Sequence, residues 1–118
     1  MLKDASGFKR VYIRVGYTDL RKGIDSLALI VKNGFNLDPY EEGNLFLFCG
    51  RRTDRIKGLL YEGDGFLLLT KRLSDGHFQW PRSTDEVKEL TEKQYRWLMD
   101  GLTLEPKKQI RDVHPTRI

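Results

Sequence analysis

Asn44-Leu45-Phe46-Leu47-Phe48-Cys49-Gly50-Arg51-Arg52-Thr53-Asp54-Arg55-Ile56-Lys57-Gly58-Leu59-Leu60-Tyr61-Glu62-Gly63-Asp64-Gly65-Phe66-Leu67-Leu68-Leu69-Thr70-Lys71-Arg72-Leu73 reads as three strands and the two turns that join them. Residues 44–49, with Leu45 to Cys49 apolar at consecutive positions, are apolar on both faces, as expected of a strand covered on both sides. Residues 50–54 form a basic turn, and residues 55–61 form the next strand. Residues 62–65 have the composition of a tight turn, and residues 66–73 close an antiparallel meander. A tight turn there sets Tyr61 opposite Phe66, so Ile56 falls opposite Lys71. Alternation then gives Lys71 the face of Leu69 and Leu73 and Arg72 the face of Thr70, an assignment that a one-residue slip would reverse.

Working outward, Val11, Ile13 and Val15 alternate with Tyr12 and Arg14, the period of a strand over residues 10–15. Thr18 then reads as a helix N-cap with Asp19 in the first turn. Leu20, Ile24, Leu27, Ala28 and Val31 make one helical stripe, which Asn33-Gly34 ends. Gly23 within that stripe costs about 1 kcal/mol relative to alanine. Downstream, residues 77–80 read as a short edge strand stopped by Pro81. Thr91 and Gln94 fit a capping box, Leu90 and Tyr95 a hydrophobic staple, and Tyr95, Leu98, Met99 and Leu102 a buried stripe ending at Gly101. The order β-α-β-β-β-α predicts an α+β fold, a single small domain with a mainly antiparallel sheet and two packing helices. Residues 1–7 read as a flexible N-terminus, 8–104 as the domain and 105–118 as a basic tail.

The 118 residues hold one ordinary core, with 39% hydrophobic and 32% charged side chains, a globular balance. No apolar run approaches the ~20 residues that a membrane helix needs. The opening residues lack the charged and apolar regions of a secretory signal. A lone cysteine, Cys49, excludes an internal disulfide and a cysteine-built zinc site, and His77 and His114 do not rebuild a histidine-rich one. A cytoplasmic protein without cofactor or metal is expected. The net charge is +4, unevenly spread: residues 1–60 carry 11 basic against 7 acidic side chains, residues 61–106 carry 6 against 9, and residues 107–118 carry 4 against 1. That distribution suits a polyanion on one face, and it also suits a plain solvated surface.

The sharpest local feature is the turn itself. Arg51, Arg52, Arg55 and Lys57 bring four cations to a hairpin tip, with the Thr53 hydroxyl among them. Guanidinium forks bind phosphate oxygens in pairs, and a basic β-ribbon is one way into a DNA groove. The register adds Lys71 and Arg72 to the same end of the meander. Arg21 and Lys22, near the expected helix start, are a further phosphate site, with a solvated helix face as the plainer reading. Asp54, Glu62, Asp64 and Lys71 loosely sketch a metal-dependent nuclease, although acids in a turn serve local hydrogen bonding first. No catalytic residue is assigned. Cys49 reads as a buried small hydrophobe, Trp80 and Trp97 as core or core-rim residues.

Three blocks of residues resemble a known family. They are Gly16-Tyr17-Thr18-Asp19-Leu20-Arg21-Lys22-Gly23-Ile24-Asp25-Ser26-Leu27-Ala28, the stretch Leu45 to Lys57, and Tyr61-Glu62-Gly63-Asp64-Gly65-Phe66 running on through Lys71-Arg72-Leu73 to Phe78-Gln79-Trp80-Pro81. In order and separation they resemble the TnpB-type accessory protein of insertion sequence 66 family elements. That family often has tryptophan where this chain has Tyr61 and aspartate where it has Glu62. The resemblance implies a helper in transposition, acting beside a DDE-type transposase and a second small accessory protein. Together with the arginine-rich turn it implies a non-catalytic factor that binds DNA at element ends. The alternative is an adaptor docking on the transposase through the apolar sheet or the Trp97 face, with a nuclease behind both.

Overall fold

The computed structural model describes residues 2–3, 7–82 and 87–104. The basic tail expected over residues 105–118 lies outside them. The fold is built on a five-stranded sheet of order β4-β3-β2-β1-β5, with β1 Arg10–Arg14, β2 Asn44–Cys49, β3 Arg55–Tyr61, β4 Phe66–Arg72 and β5 Val87–Leu90. Three of the neighbouring pairs are antiparallel, and β1 with β2 is parallel. The architecture is α+β with a mainly antiparallel sheet, as expected, around one parallel pair. A parallel pair needs a crossover long enough to return the chain to its starting end. Here helix α1, Ile24–Leu29, supplies it, continuing as a π-helical turn over Ile30–Gly34.

The two helices cover opposite faces. Leu27 and Val31 of the crossover pack on Tyr12, Phe46, Phe48 and Leu59. Tyr95 and Leu98 of helix α2, Glu92–Met99, pack with Val11, Ile13, Leu45, Leu47, Ile56 and Leu60 on the other face. Strand β2 is buried at every residue, which is why it reads apolar from Leu45 to Cys49, after the buried polar Asn44. Both faces are therefore covered at the centre of the sheet, while edge strand β4 is half-buried to exposed along its length. Leu2 also belongs to the α2-side core, and the Tyr95 hydroxyl donates to its carbonyl.

The register of the second hairpin is the expected one. Tyr61 faces Phe66, Ile56 faces Lys71 and Arg55 faces Arg72. The α2 cap is also as expected, with the Thr91 hydroxyl accepting from the Gln94 amide and the Gln94 side chain accepting from the Thr91 amide, at 3.1 and 3.0 Å.

Four local expectations are corrected. Thr18 does not cap α1, which begins after Gly23; its amide instead donates to the Cys49 carbonyl at 2.7 Å, tying the loop after β1 to the end of β2. Gly23 is accordingly the helix N-cap and carries no mid-helix penalty. Residues 77–80 form no strand: Phe78 and Trp80 turn inward, held by Phe78 amide to Thr53 carbonyl at 2.7 Å and Trp80 Nε1 to Arg14 carbonyl at 2.9 Å. The edge beside β1 is filled by β5 instead. Leu102 is 53% exposed, because Gly101, at φ +78°, turns the chain out of the helix before the stripe repeats.

Candidate functional site

Strands β1 and β2 run parallel, so the loop leaving β1 and the turn leaving β2 emerge at the same end of the sheet. Between them lies a groove of about 750 Å³. The loop after β1 lines it with Tyr17, Asp19, Leu20 and Arg21, and the β2–β3 turn with strands β3 and β4 lines it with Arg51, Arg52, Arg55, Lys57 and Thr70. Gly50 lies at its base, where a Cβ would come within 3.3 Å of the Leu20 side chain and 3.5 Å of the Thr18 carbonyl. A glycine there lets the two segments approach.

Five of the nine cationic and hydroxyl residues singled out in the sequence converge on this groove: Arg21, Arg51, Arg52, Arg55 and Lys57. Strand alternation is the reason for Arg55 and Lys57, which share the α1 face with Thr70 and Arg72. Arg72 stands directly across from Arg55 but outside the lining. Lys71 takes the opposite face, level with the buried Ile56. Thr53 turns away, its hydroxyl 3.3 Å from His77 Nδ1. Lys22 lies in a separate shallow depression with Arg14 and Ser26.

The cations differ in how far they are already matched. Asp19 accepts from Arg21 through both carboxylate oxygens, Nε at 3.0 Å and Nη2 at 2.9 Å, and also from the Arg21 amide. These hydrogen bonds pull the Asp19 carboxyl down to about 2. Asp54 accepts from Arg55 Nε at 3.0 Å, with Arg52 Nη2 at 3.7 Å. The Arg55 hydrogen bond, helped by Arg52, holds Asp54 below the usual carboxylate range against the opposing effect of burial. Arg51 and Lys57 make no ion pair among the described residues. Like charges directly opposite on neighbouring strands destabilise a sheet, and the Arg55–Arg72 pair is such a case, only partly relieved by Asp54. The groove therefore carries an uncompensated positive charge whose natural counterpart is an anion.

Tyr17, in the groove lining, and Arg82, over its ring, escape sequence reading. Tyr17 is 39% exposed, and the Arg82 guanidinium lies over its ring, 5.0 Å from the centroid. Nothing local links a tyrosine after β1 to an arginine after Pro81; only the folded chain brings them together. The carboxylates behave oppositely. Asp54 and Glu62 stand just beyond the two ends of β3, so Asp54 is a strand length away from Glu62 and Asp64. Among the described residues no cluster of three His, Cys, Asp or Glu side chains could hold a metal ion. The far end of β3 is acidic and aromatic: Glu62 and Asp64 lie in the turn, the Glu42 carboxylate lies against Gly63, and Tyr40, 60% exposed, meets the rings of Tyr61 and Phe66, each at 5.2 Å. The Cys49 thiol is buried and pushed up to about 12 by that burial, which suits packing and not nucleophilic chemistry. No helix among the described residues is long and apolar enough to cross a membrane.

Comparison with known proteins adds the context. The family model described as IS66 Orf2 like protein matches residues 9–109. Two proteins of Sinorhizobium fredii (strain NBRC 101917 / NGR234) are similar to this chain. Uncharacterized protein y4hO is 40% identical over 93 residues, covering 79% of this chain and 80% of its own. Uncharacterized protein y4jC is 28% identical over 109 residues, 92% of each. No solved structure matches.

Proposed function

The chain belongs to the IS66 Orf2-like family, whose members are accessory proteins of insertion elements, and we propose that it serves transposition by binding the element's DNA through the groove between the β1 loop and the β2–β3 turn. The observation that carries this reading is the convergence of Arg21, Arg51, Arg52, Arg55 and Lys57 on one concavity, two of them without a carboxylate partner among the described residues. Paired guanidinium donors match phosphate oxygens, and the lysine adds a point charge. Phosphate contacts of this kind supply affinity and position, with little base discrimination. The protein then works as a non-catalytic factor beside the DDE-type transposase and the second accessory protein of the element. A fluorescence anisotropy titration with labelled element-end DNA tests this. Wild type is expected to bind at low salt, and Arg51→Glu with Lys57→Glu to abolish binding while the circular dichroism spectrum is unchanged. Absence of binding by wild type, or equal binding by the variant, would refute it.

The second reading is an adaptor that meets the transposase without touching DNA. The exposed Tyr40 edge beside Tyr61 and Phe66 favours it, because aromatic side chains in the open are common anchors at protein interfaces. Purified transposase retained by wild type and lost with Tyr40→Ala, in the absence of DNA, would support this reading over the first.

A further inference from the structure

We infer that the groove takes single-stranded DNA in preference to duplex, with Tyr17 as the stacking platform for a base; this rests on the groove being the DNA-binding site. The argument begins with shape. A duplex presents a convex, stiff cylinder, and the proteins that grip it by phosphates alone offer an open face or an element that enters a groove. Here the cations that line one concavity come from two segments, Arg21 from the loop after β1 and Arg51, Arg55 and Lys57 from the β2–β3 turn and strand β3. About 750 Å³ of space between them falls in the range of small-molecule clefts, ~300–1,000 Å³. A concavity of that size suits a single flexible sugar-phosphate strand better than a stiff, convex duplex.

Chemistry agrees with shape. Single-strand sites combine a cationic channel that follows the backbone with aromatic rings on which bases stack. Tyr17 supplies the ring, in the same lining as the arginines, and is 39% exposed although Arg82 lies over it. A cation over the ring face holds the ring in place through its quadrupole. Arg82 also brings a planar group of its own, on which a base stacks as readily as on the ring. Phosphates meet Arg51 and Lys57, which have no carboxylate partner among the described residues, while the base leaves the backbone toward Tyr17. Sequence preference is weak in this arrangement, because every base has a π-face.

Anisotropy titrations at one salt concentration, with a labelled single strand and a duplex of equal length, test this on wild type, Tyr17→Leu, Tyr17→Phe and Arg51→Ala with Lys57→Ala. Wild type is expected to bind the single strand more tightly. Tyr17→Leu should weaken single-strand binding by about five-fold or more, the loss of one stacked base, with little change for duplex. Tyr17→Phe should restore it, since the ring and not the hydroxyl does the stacking. Tighter duplex binding, or single-strand binding indifferent to Tyr17→Leu, overturns the inference. If duplex binds tightly and depends on Arg51 and Lys57, the groove remains the DNA site and only the strand preference falls. Binding of neither form by wild type removes both.

Discussion

Replacing Arg51 and Lys57 together by alanine removes the two groove cations that no carboxylate among the described residues matches, and the effect on salt dependence can be worked out in advance. Each phosphate neutralised by a cation releases condensed counterions, so log K falls against log salt with a slope of about −0.7 per contact on a single strand and about −0.9 on duplex. Two full contacts therefore flatten the slope by about 1.4 on a single strand. Between about 50 and about 200 mM salt, a fourfold step, the advantage of wild type over the variant then shrinks by about sevenfold. Arg55→Ala should flatten it less, because the Arg55 guanidinium is already hydrogen-bonded to Asp54 at 3.0 Å and part of its charge is answered there. The assay is a series of anisotropy titrations across salt, with circular dichroism to confirm folding. An unchanged slope in the folded double variant would refute the claim that these two side chains contact phosphate. A larger change with Arg55→Ala than with Arg51→Ala would refute the ranking by ion pairing.

Further outcomes follow from the core and the loops. Leu98 is fully buried between α2 and the sheet, so Leu98→Ala should lower stability by about 2–5 kcal/mol, read as a fall in the denaturation midpoint. Cys49, with its thiol pushed up to about 12, should resist alkylation by iodoacetamide in the native protein and react once urea unfolds it, followed by mass spectrometry. Asp19 has a folded value near 2 against a reference of 3.8, a depressed carboxyl, so its contribution to stability is present above the reference and is lost as pH falls through the folded value. Thermal melts between pH 3.8 and about 2 should accordingly fall less steeply for Asp19→Asn than for wild type.

The sequence was most legible where local chemistry and tertiary need agree. The second hairpin could be paired residue by residue because a short turn and alternating faces select one register out of the few a slip would allow, and α2 because its cap and staple are local. It was least legible where a distant partner decides. Thr18 has the chemistry of a cap, yet its amide is satisfied by the Cys49 carbonyl, and the helix waits until Gly23. Strand β5 is four residues of mixed polarity, too short for a period of two to register, and it exists because β1 offers an open edge. The same division holds at the groove. Arg51, Arg52, Arg55 and Lys57 are neighbours in the chain and were visible as a cluster; Lys71 belonged to the same end but alternation turned it to the other face. Tyr17 and Arg82 carried no local sign, since their meeting depends on the packing of the segment after β4.

Strand β3 has a cationic groove at one end and Glu62, Asp64 and Glu42 at the other, and this makes the protein an electric dipole. Seven residues of strand hold the two ends ~23 Å apart. In the field of a polyanion such a body experiences a torque that swings the groove forward and the acidic turn back. Salt confines the effect: at physiological ionic strength the field decays over about 8 Å, so the torque acts only in the last moments before contact. Within that distance it converts glancing collisions into aligned ones. On the proposed function the acidic end thus orients the encounter without touching the nucleic acid, and neutralising Glu62 and Asp64 acts on association at low salt and not on dissociation.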